Sequence, residues 1–170
     1  MITMTEPRPA VMTTAPTLDE AIAFIWAEAD MLDRLDYKAW LSLWTDEGRY
    51  IIPTERSVDD YDDRLNVVND DAEMRAARVK RLLSGFSMSS APPARTVRTV
   101  SRFVPQAGDD GALTLRAAQI LAEYKYERMR ILAADIDYRI VCGAEGLKID
   151  RKIVTLVNCD DFLHGIGYLL

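Results

Sequence analysis

The side chains that most often carry out chemistry are scarce in this sequence. Its 170 residues include one histidine, His164, and two cysteines, Cys142 and Cys159. A Rieske iron–sulfur centre needs two cysteines and two histidines, and an iron site of the facial-triad type needs two histidines and a carboxylate. The chain alone can supply neither set, and it is poorly supplied for a tetrahedral zinc site. The sequence therefore predicts no catalytic residue, cofactor or metal of its own, although counting leaves a carboxylate-only Mg²⁺ or Ca²⁺ site open.

Four residues could support acid–base chemistry if the chain folds around a pocket: Asp33, Asp36, Tyr37 and Tyr50. Aspartate–tyrosine pairs can run such chemistry when they flank a pocket. A structural role is favoured for the two aspartates, because both stand where helix caps belong. The sequence has no G-x-S-x-G motif and no Gly-rich phosphate loop, and a lone histidine near a terminus is typical of a surface or packing residue.

Positively charged residues form clusters in an otherwise acidic chain. Their acidic partners are either the chain's own Asp-rich segment or carboxylates of another subunit, because arginine is well suited to ion pairs at interfaces. The sequence ends on an apolar stretch from Ile166 to Leu170. We expect that stretch to be buried against the chain's own sheet or against a neighbouring subunit.

Composition limits the class of protein and its partners. The net charge is −6, and 49% of the residues are hydrophobic and 28% charged, as in an ordinary globular domain. An acidic chain argues against a nucleic-acid partner, which would select a basic face. No apolar run approaches the roughly 20 residues of a membrane span, and we recognise no signal peptide. Two cysteines without a disulfide framework predict a reduced, cytoplasmic setting.

Helices are predicted in the first half of the chain. Residues 1–16 have no periodic pattern and are predicted to form a flexible arm. Thr17 and Glu20 make a capping box, and Asp36 is a candidate N-cap. The predicted elements are a helix from Thr17 to Leu32, a helix Tyr37–Thr45, a strand Arg49–Ile52, an acidic loop Glu55–Asp71 and a helix Ala72–Leu83 capped by Asn69 or Asp70.

Four strands with short connections are predicted from Arg95 to Asn158. Neighbours joined this way are antiparallel, and one polar and one apolar face indicate a sheet packed on one side only. The order α-α-β-α-β-β-β-β predicts an α+β fold, in which a curved sheet wraps on helices in a single domain, 17–170. Such a cone can enclose a pocket. The predicted strands are Arg95–Val104, a long run over 112–130, Ile136–Cys142 and Leu147–Asn158, with turns at 108–111 and 143–146.

Several short segments along the chain are weak motifs singly but fairly specific in their order and spacing. They are Glu28–Asp33, Asp36–Leu43, Asp46–Tyr50 with Pro53, Arg78–Leu82 with Ser84 and Gly85, Pro92–Arg98 and Arg151–Asn158. Together they resemble the beta (small) subunit of aromatic-ring-hydroxylating Rieske non-haem iron dioxygenases. The resemblance covers nearly all of the chain after the N-terminal arm.

The resemblance implies the cone-like α+β fold of NTF2-like and cystatin-like proteins. It implies a structural, non-catalytic subunit that assembles with a large alpha subunit, commonly as α3β3, and that self-associates as a trimer. The alpha subunit would carry a Rieske 2Fe–2S cluster and a mononuclear Fe(II), and the complex would dihydroxylate an arene for catabolism. Under this interpretation the residues facing other subunits are Arg78, Arg81, Arg95, Arg98, Arg151, Tyr168 and Leu170.

Two alternatives use the same cone. One is a stand-alone isomerase, dehydratase or cyclase, of the SnoaL-like or ketosteroid-isomerase-like kind, which would need a base and a carbonyl partner inside the pocket. Its candidates would be Asp33, Asp36, Tyr37 and Tyr50. The other is a module that binds a small molecule without chemistry. The scarcity of inward polar groups in the sequence favours the dioxygenase subunit over the enzyme.

Overall fold

Three helices pack on a six-stranded sheet in the computed structural model, which describes residues 14–57, 60–85, 92–106, 111–161, 163 and 165–170. None of the helices in these ranges is long and apolar enough to cross a membrane. The elements are α1 (Leu18–Asp33), α2 (Tyr37–Leu41), β1 (Trp44–Pro53), β2 (Asn66–Asp70), α3 (Ala72–Leu83), β3 (Arg95–Gln106), β4 (Ala112–Lys125), β5 (Arg128–Gly143) and β6 (Gly146–Leu156).

Helix α1 begins where the sequence predicts. The Thr17 hydroxyl accepts from the Glu20 amide at 3.3 Å, and the Glu20 carboxylate accepts from the Thr17 amide at 2.9 Å. This capping box satisfies amides that the first turn leaves without partners. The helix buries Ala21, Ile25 and Leu32 in the core, as the apolar spacing of the sequence requires.

The second helix is shorter than predicted, and the strand after it is longer. Asp36 caps α2, accepting from the Ala39 amide at 3.4 Å. The helix ends at Leu41 instead of Thr45, and Trp44 already belongs to β1. Strand β1 runs parallel to β6, so long-range pairing overrides the helical pattern here. Trp44 packs edge-on against Trp40, with ring centroids 5.1 Å apart.

The predicted acidic loop contains a strand that the sequence analysis missed. Residues Asn66–Asp70 form β2, which pairs antiparallel with β1. The observed order is therefore α-α-β-β-α-β-β-β-β. The cap of α3 is Asp71 instead of Asn69 or Asp70, and it accepts from the Met74 amide at 2.9 Å. Asp70 is buried and bonds to a side chain of α3 instead.

Strands β3 to β6 form the predicted antiparallel succession, and the sheet order is β2-β1-β6-β5-β4-β3. The long predicted run over 112–130 is divided by a two-residue turn at Tyr126 and Glu127, and β5 starts at Arg128 instead of Ile136. Both turn residues have positive φ, 51° and 57°, the geometry that suits two-residue hairpins. Gly111 has a φ of 74°, but residues 107–110 of the predicted turn lie outside the described residues.

The inner face of the sheet holds the core against the helices. Ile136, Tyr138 and Ile140 are each at most 1% exposed, as the alternation of residues along a strand requires. The expectation of packing on one side only is wrong near β1 and β6. There Ile51 and Ile153 are paired on the outer face and are only 4% exposed. Tyr61 borders the same depression as Ile51, so the segment around Tyr61 lies against this face.

Candidate functional site

A charged cluster lies in the interior of the cone, where four elements meet. Helix α1 contributes Glu28, α2 contributes Trp40, β5 contributes Tyr138 and β6 contributes Lys152. One Glu28 oxygen accepts from Lys152 Nζ at 2.7 Å and from Trp40 Nε1 at 2.9 Å. The other accepts from the Tyr138 hydroxyl at 2.7 Å. The Glu28 carboxylate therefore accepts hydrogen bonds from all three of these side chains.

This interior cluster is closed to solvent. Its four residues are at most 1% exposed. A glutamate with a lysine and a tyrosine in contact could exchange protons with a substrate that reached them. Because these groups are closed to solvent, the arrangement instead joins two helices to two strands through charge-assisted hydrogen bonds.

Burial shifts the pKa values of the donors in this cluster. Desolvation raises the pKa of Tyr138 well above its usual value, and the charge of Glu28 raises it further. Desolvation lowers the pKa of Lys152, while Glu28 opposes that change. Tyr138 therefore stays neutral at physiological pH and acts as a hydrogen-bond donor.

The C-terminal residues are buried in the interior, next to Tyr50 and Arg98. Leu169 is 1% exposed, and Leu170 is fully buried. The Tyr50 hydroxyl accepts from the Leu170 amide at 3.0 Å and donates to the Leu170 main-chain oxygen at 3.2 Å. Arg98 Nη2 donates to the Leu169 carbonyl at 3.2 Å. The chain's own sheet thus takes up the apolar stretch, which was one of the two expected places.

The pocket candidates of the sequence are not brought together. The Asp33 carboxylate accepts from the Thr96 hydroxyl at 2.7 Å and from the Arg98 guanidinium at 2.9 Å, and Asp36 is an exposed helix cap. Tyr37 borders a depression of about 200 Å³, and Tyr50 borders another of about 140 Å³. Both tyrosines are otherwise buried, at 4% and 1% exposure.

The interface candidates fall into three groups. Arg98, Tyr168 and Leu170 are buried within this chain, each at most 7% exposed, so their contacts here are internal. Arg78 forms a forked ion pair with Asp70, with N–O distances of 2.5 and 2.9 Å. The exposed candidates are Arg81, Arg95 and Arg151.

Residue counting left a carboxylate-only Mg²⁺ or Ca²⁺ site open. Within the described ranges no group of three or more histidine, cysteine, aspartate or glutamate side chains could hold a metal ion. Cys142 and Cys159 are both free. His164 lies outside the described residues.

Sequence reasoning did not predict that Glu28, Lys152 and Tyr138 meet in the interior of the cone. Glu28 lies within the apolar stripe of α1, and Lys152 stands beside Arg151 on β6. The available signal was a charged residue at an inward position of each element. Glu28 follows the 3.6-residue period of Ile25 and Leu32, and Lys152 precedes the apolar pair at 153–154.

Two solved structures have a fold similar to that of this chain. The benzoate 1,2-dioxygenase beta subunit of Burkholderia mallei has a similar structure, with a TM-score of 0.74, 23% identity, and coverage of 92% of this chain and 99% of that one. An NTF2-like protein with a cystatin-like fold from Novosphingobium aromaticivorans has a TM-score of 0.55 at 13% identity, covering 82% and 81%. The predicted cone-like α+β fold is confirmed.

Sequence comparison identifies the family. The N,N-dimethyl phenylurea N-demethylase subunit beta of Sphingobium sp. (strain YBL2) is 31% identical over 140 residues, which cover 79% of this chain and 77% of that protein. The 2-halobenzoate 1,2-dioxygenase small subunit of Burkholderia cepacia is 25% identical over 160 residues, covering 86% and 91%. A family model described as "Ring hydroxylating beta subunit" matches residues 27–160. The chain belongs to the ring-hydroxylating beta subunit family.

Proposed function

We propose that this chain is the structural, non-catalytic beta subunit of an aromatic-ring-hydroxylating dioxygenase and that it scaffolds the catalytic alpha subunits. The observation that carries the proposal is the closed interior of the cone. Glu28, Lys152 and Tyr138 are hydrogen-bonded to one another and are at most 1% exposed. Enzymes place their catalytic groups in a cleft that a substrate can enter, and these groups do not meet that requirement.

The stand-alone enzyme is not favoured. Its candidates Asp33 and Tyr50 are bonded to Arg98 and to Leu170. Asp36 caps a helix, and the other tyrosine borders a separate depression. No convergent acid–base pair forms from these four residues, so they do not support a reaction inside this cone.

The names of the relatives support a division of labour between subunits. One relative is named for an N-demethylase and another for a 1,2-dioxygenase. Chains of one family thus serve complexes that carry out different reactions, which fits a beta subunit that does not set the chemistry. We infer that dihydroxylation of an arene, and the Rieske 2Fe–2S cluster and mononuclear Fe(II) it requires, belong to the alpha subunit.

The finer features of the complex are part of the same proposal. We assign an α3β3 assembly, in which residues 17–170 form one domain and the beta chains contact one another around a three-fold axis. We propose that the exposed arginines Arg81, Arg95 and Arg151 contact other subunits. We place the complex in the cytoplasm, because free cysteines suit a reducing compartment.

The test is co-expression with a large subunit encoded beside this gene whose sequence supplies two Cys and two His for a Rieske centre. We expect the two chains to co-elute, with iron and iron–sulfur absorbance following the large subunit alone. A complex built with a Glu28→Gln/Lys152→Met chain should keep wild-type turnover, because the interior cluster does not touch substrate. Separate elution of the chains, or turnover lost in an intact complex of the double variant, would contradict the proposal.

A further inference from the structure

Three arginines stand in one row across the outer face of the sheet. Strand pairing places Arg49 of β1 opposite Arg151 of β6, and Arg151 opposite Arg139 of β5. Neighbouring strands lie about 5 Å apart, and like charges directly opposite each other destabilise a sheet. A row of this kind therefore needs negative charge beside it.

Carboxylates of the chain supply that charge to the two outer arginines of the row but not to the middle one. The Arg49 guanidinium pairs with Asp62 at 2.8 Å, and the Arg139 guanidinium pairs with Asp150. Arg151 is exposed and makes no hydrogen bond or ion pair with any described residue. The uncompensated charge of the row is therefore that of Arg151.

A depression of about 230 Å³ lies beside this unpaired arginine. We call it the Tyr61 depression, and it is lined by Arg49, Ile51, Asp60, Tyr61, Asp62 and Arg151. Its apolar lining is Ile51, which is 4% exposed, together with the ring of Tyr61. Sites for drug-sized ligands have volumes of about 300–1,000 Å³, so this depression has room only for a smaller molecule.

Arg49 has unused donors at the same depression. Both of its hydrogen bonds, to Asp62 and to Asn69, leave from Nη2. Its Nε is buried and donates to no described residue. Because a buried donor without an acceptor is costly, an additional acceptor here would stabilise the chain. Two guanidiniums with unsatisfied N–H groups thus line one small depression.

We infer that the Tyr61 depression binds a small monocarboxylate with an apolar body. The carboxylate accepts from the guanidiniums of Arg151 and Arg49, since arginine forks match the geometry of a carboxylate. The apolar body packs on Ile51 and on the ring of Tyr61. Asp60 lines the same depression and pairs with no cation in the described part of the chain, so it repels an anion of higher charge such as phosphate.

The Tyr61 hydroxyl adds a neutral donor to this site. Burial raises the pKa of Tyr61, the charge of Asp137 raises it further, and the charge of Arg151 opposes both effects. The hydroxyl therefore keeps its proton at physiological pH and lies within electrostatic reach of Arg151. A protonated phenol can donate to a carboxylate that is bound beside that guanidinium.

This inference goes beyond the proposed function, in which Arg151 contacts another subunit. A guanidinium carries five N–H donors in a planar fork, so a ligand on one edge leaves donors on the other edge for a subunit. The two roles can be measured separately, because the ligand site lies within a single chain.

The experiment titrates the purified, isotope-labelled full chain with phenylacetate and follows its backbone amides by NMR. The amides of Ile51, Tyr61 and Arg151 should shift saturably. Phenylacetamide keeps the ring without the charge, and acetate keeps the charge without the ring. Each should bind at least about tenfold more weakly than phenylacetate, and so should inorganic phosphate.

Substitutions test the site from both directions. Arg151→Gln should weaken phenylacetate binding by about tenfold or more, and Arg151→Lys should have an intermediate effect because it keeps the charge and loses the fork. Asp60→Asn should strengthen binding about two- to fivefold, because it removes a like charge, and a misfolded chain could not produce that gain. Arg95→Gln is the matched control, since Arg95 is exposed on β3, three strands away from β6, and should leave binding unchanged.

Four results would overturn the inference. They are no saturable shift at the amides of the depression, equal binding of phenylacetamide and phenylacetate, binding that survives Arg151→Gln, and tighter binding of phosphate than of phenylacetate. If wild type binds no phenylacetate and Arg151→Gln abolishes co-elution with the large subunit, Arg151 serves the subunit contact alone. In that case the proposed function stands and only this inference fails.

Discussion

The interior of the cone and the outer face of its sheet each hold an exception to the usual distribution of polarity. Inside, a lysine and a glutamate are each 1% exposed and are bonded to each other. Outside, Val97, Met129 and Ile131 are 61–70% exposed on one continuous surface. Globular chains ordinarily bury apolar side chains and pair the few charges that they bury. The buried charges are bonded within the chain and hold the fold, whereas the exposed apolar side chains on the outer face are in contact with solvent.

An enzyme built on the same cone would need the opposite arrangement, with polar groups converging on a cavity that a substrate can enter. Here the polar groups converge on Glu28, and Leu169 and Leu170 occupy the space beside them. The chain uses its most reactive side chains as structural contacts. Substitutions in the interior should therefore destabilise the fold more than substitutions on the outer face of the sheet.

The largest effect is expected from Lys152→Ala. It removes the cation from a buried pair and leaves the Glu28 carboxylate charged in the core, which destabilises proteins by about 3–5 kcal/mol. Urea unfolding followed by circular dichroism measures the free energy of unfolding. Glu28→Gln/Lys152→Met should recover most of this loss, because the amide can still bond to Trp40 and Tyr138.

Arg34→Ala is the matched control for this ion pair. The Arg34–Asp30 bridge has a distance of 2.9 Å, but its side chains are 74% and 62% exposed. Exposed pairs contribute about 0–1 kcal/mol, so this substitution should change little. Equal losses for the exposed and the buried pair would show that the interior cluster has no special part in stability.

A smaller loss is expected from Arg98→Met, about 1.5–3 kcal/mol, because it removes charged hydrogen bonds to Asp33 and to the Leu169 carbonyl. The substitution should also loosen the C-terminal residues, which hydrogen exchange of the Leu170 amide would report as lost protection. The sequence analysis assigned Arg98 to a subunit interface. If Arg98→Met left folding intact and changed only association, that assignment would stand and the structural role proposed here would fail.

The sequence predicted local features well and the distant contacts poorly. The capping box of Thr17, the cap at Asp36 and the alternation of β5 follow from periods and side-chain chemistry within a few residues. The I′-type turn at Tyr126 has neither glycine nor asparagine, so its sequence carries no turn signal. The Glu28–Lys152 pair joins residues 124 positions apart, and no local pattern can show which charge meets which.

Alkaline pH should destabilise the chain through its buried tyrosines. Burial raises the pKa of Tyr37, Tyr50, Tyr138 and Tyr168. Their contribution to stability is complete below the unfolded value near pH 10 and is lost as the pH rises above it, because only the unfolded chain can ionise them readily. The lowered pKa of Lys152 has the opposite effect on stability, but that effect is confined to pH values below the ordinary lysine pKa of about 10.4.

Tyr138→Phe isolates the contribution of the Tyr138–Glu28 hydrogen bond to the free energy of unfolding. At neutral pH it should cost about 1–2 kcal/mol, since Glu28 loses one hydrogen bond. Above pH 10 the gap between variant and wild type should narrow, because the phenylalanine has no proton to lose. The measurement is urea unfolding at a series of pH values with phenolate absorbance recorded in parallel. A gap that stays constant across that range would mean that Tyr138 ionises equally in the folded and unfolded chains.

The smallest effect is expected from Val97→Thr on the outer face. Val97 is 70% exposed on β3, and threonine keeps the branched shape that strands favour, so the free energy of unfolding should change by less than about 0.5 kcal/mol. Val100→Thr is the matched control on the same strand, because Val100 points inward and is 5% exposed. Burying its hydroxyl should cost about 1–3 kcal/mol in the same unfolding measurement. A loss at Val97 as large as the loss at Val100 would mean that the outer face also holds the fold, and the contrast between the two regions would fail.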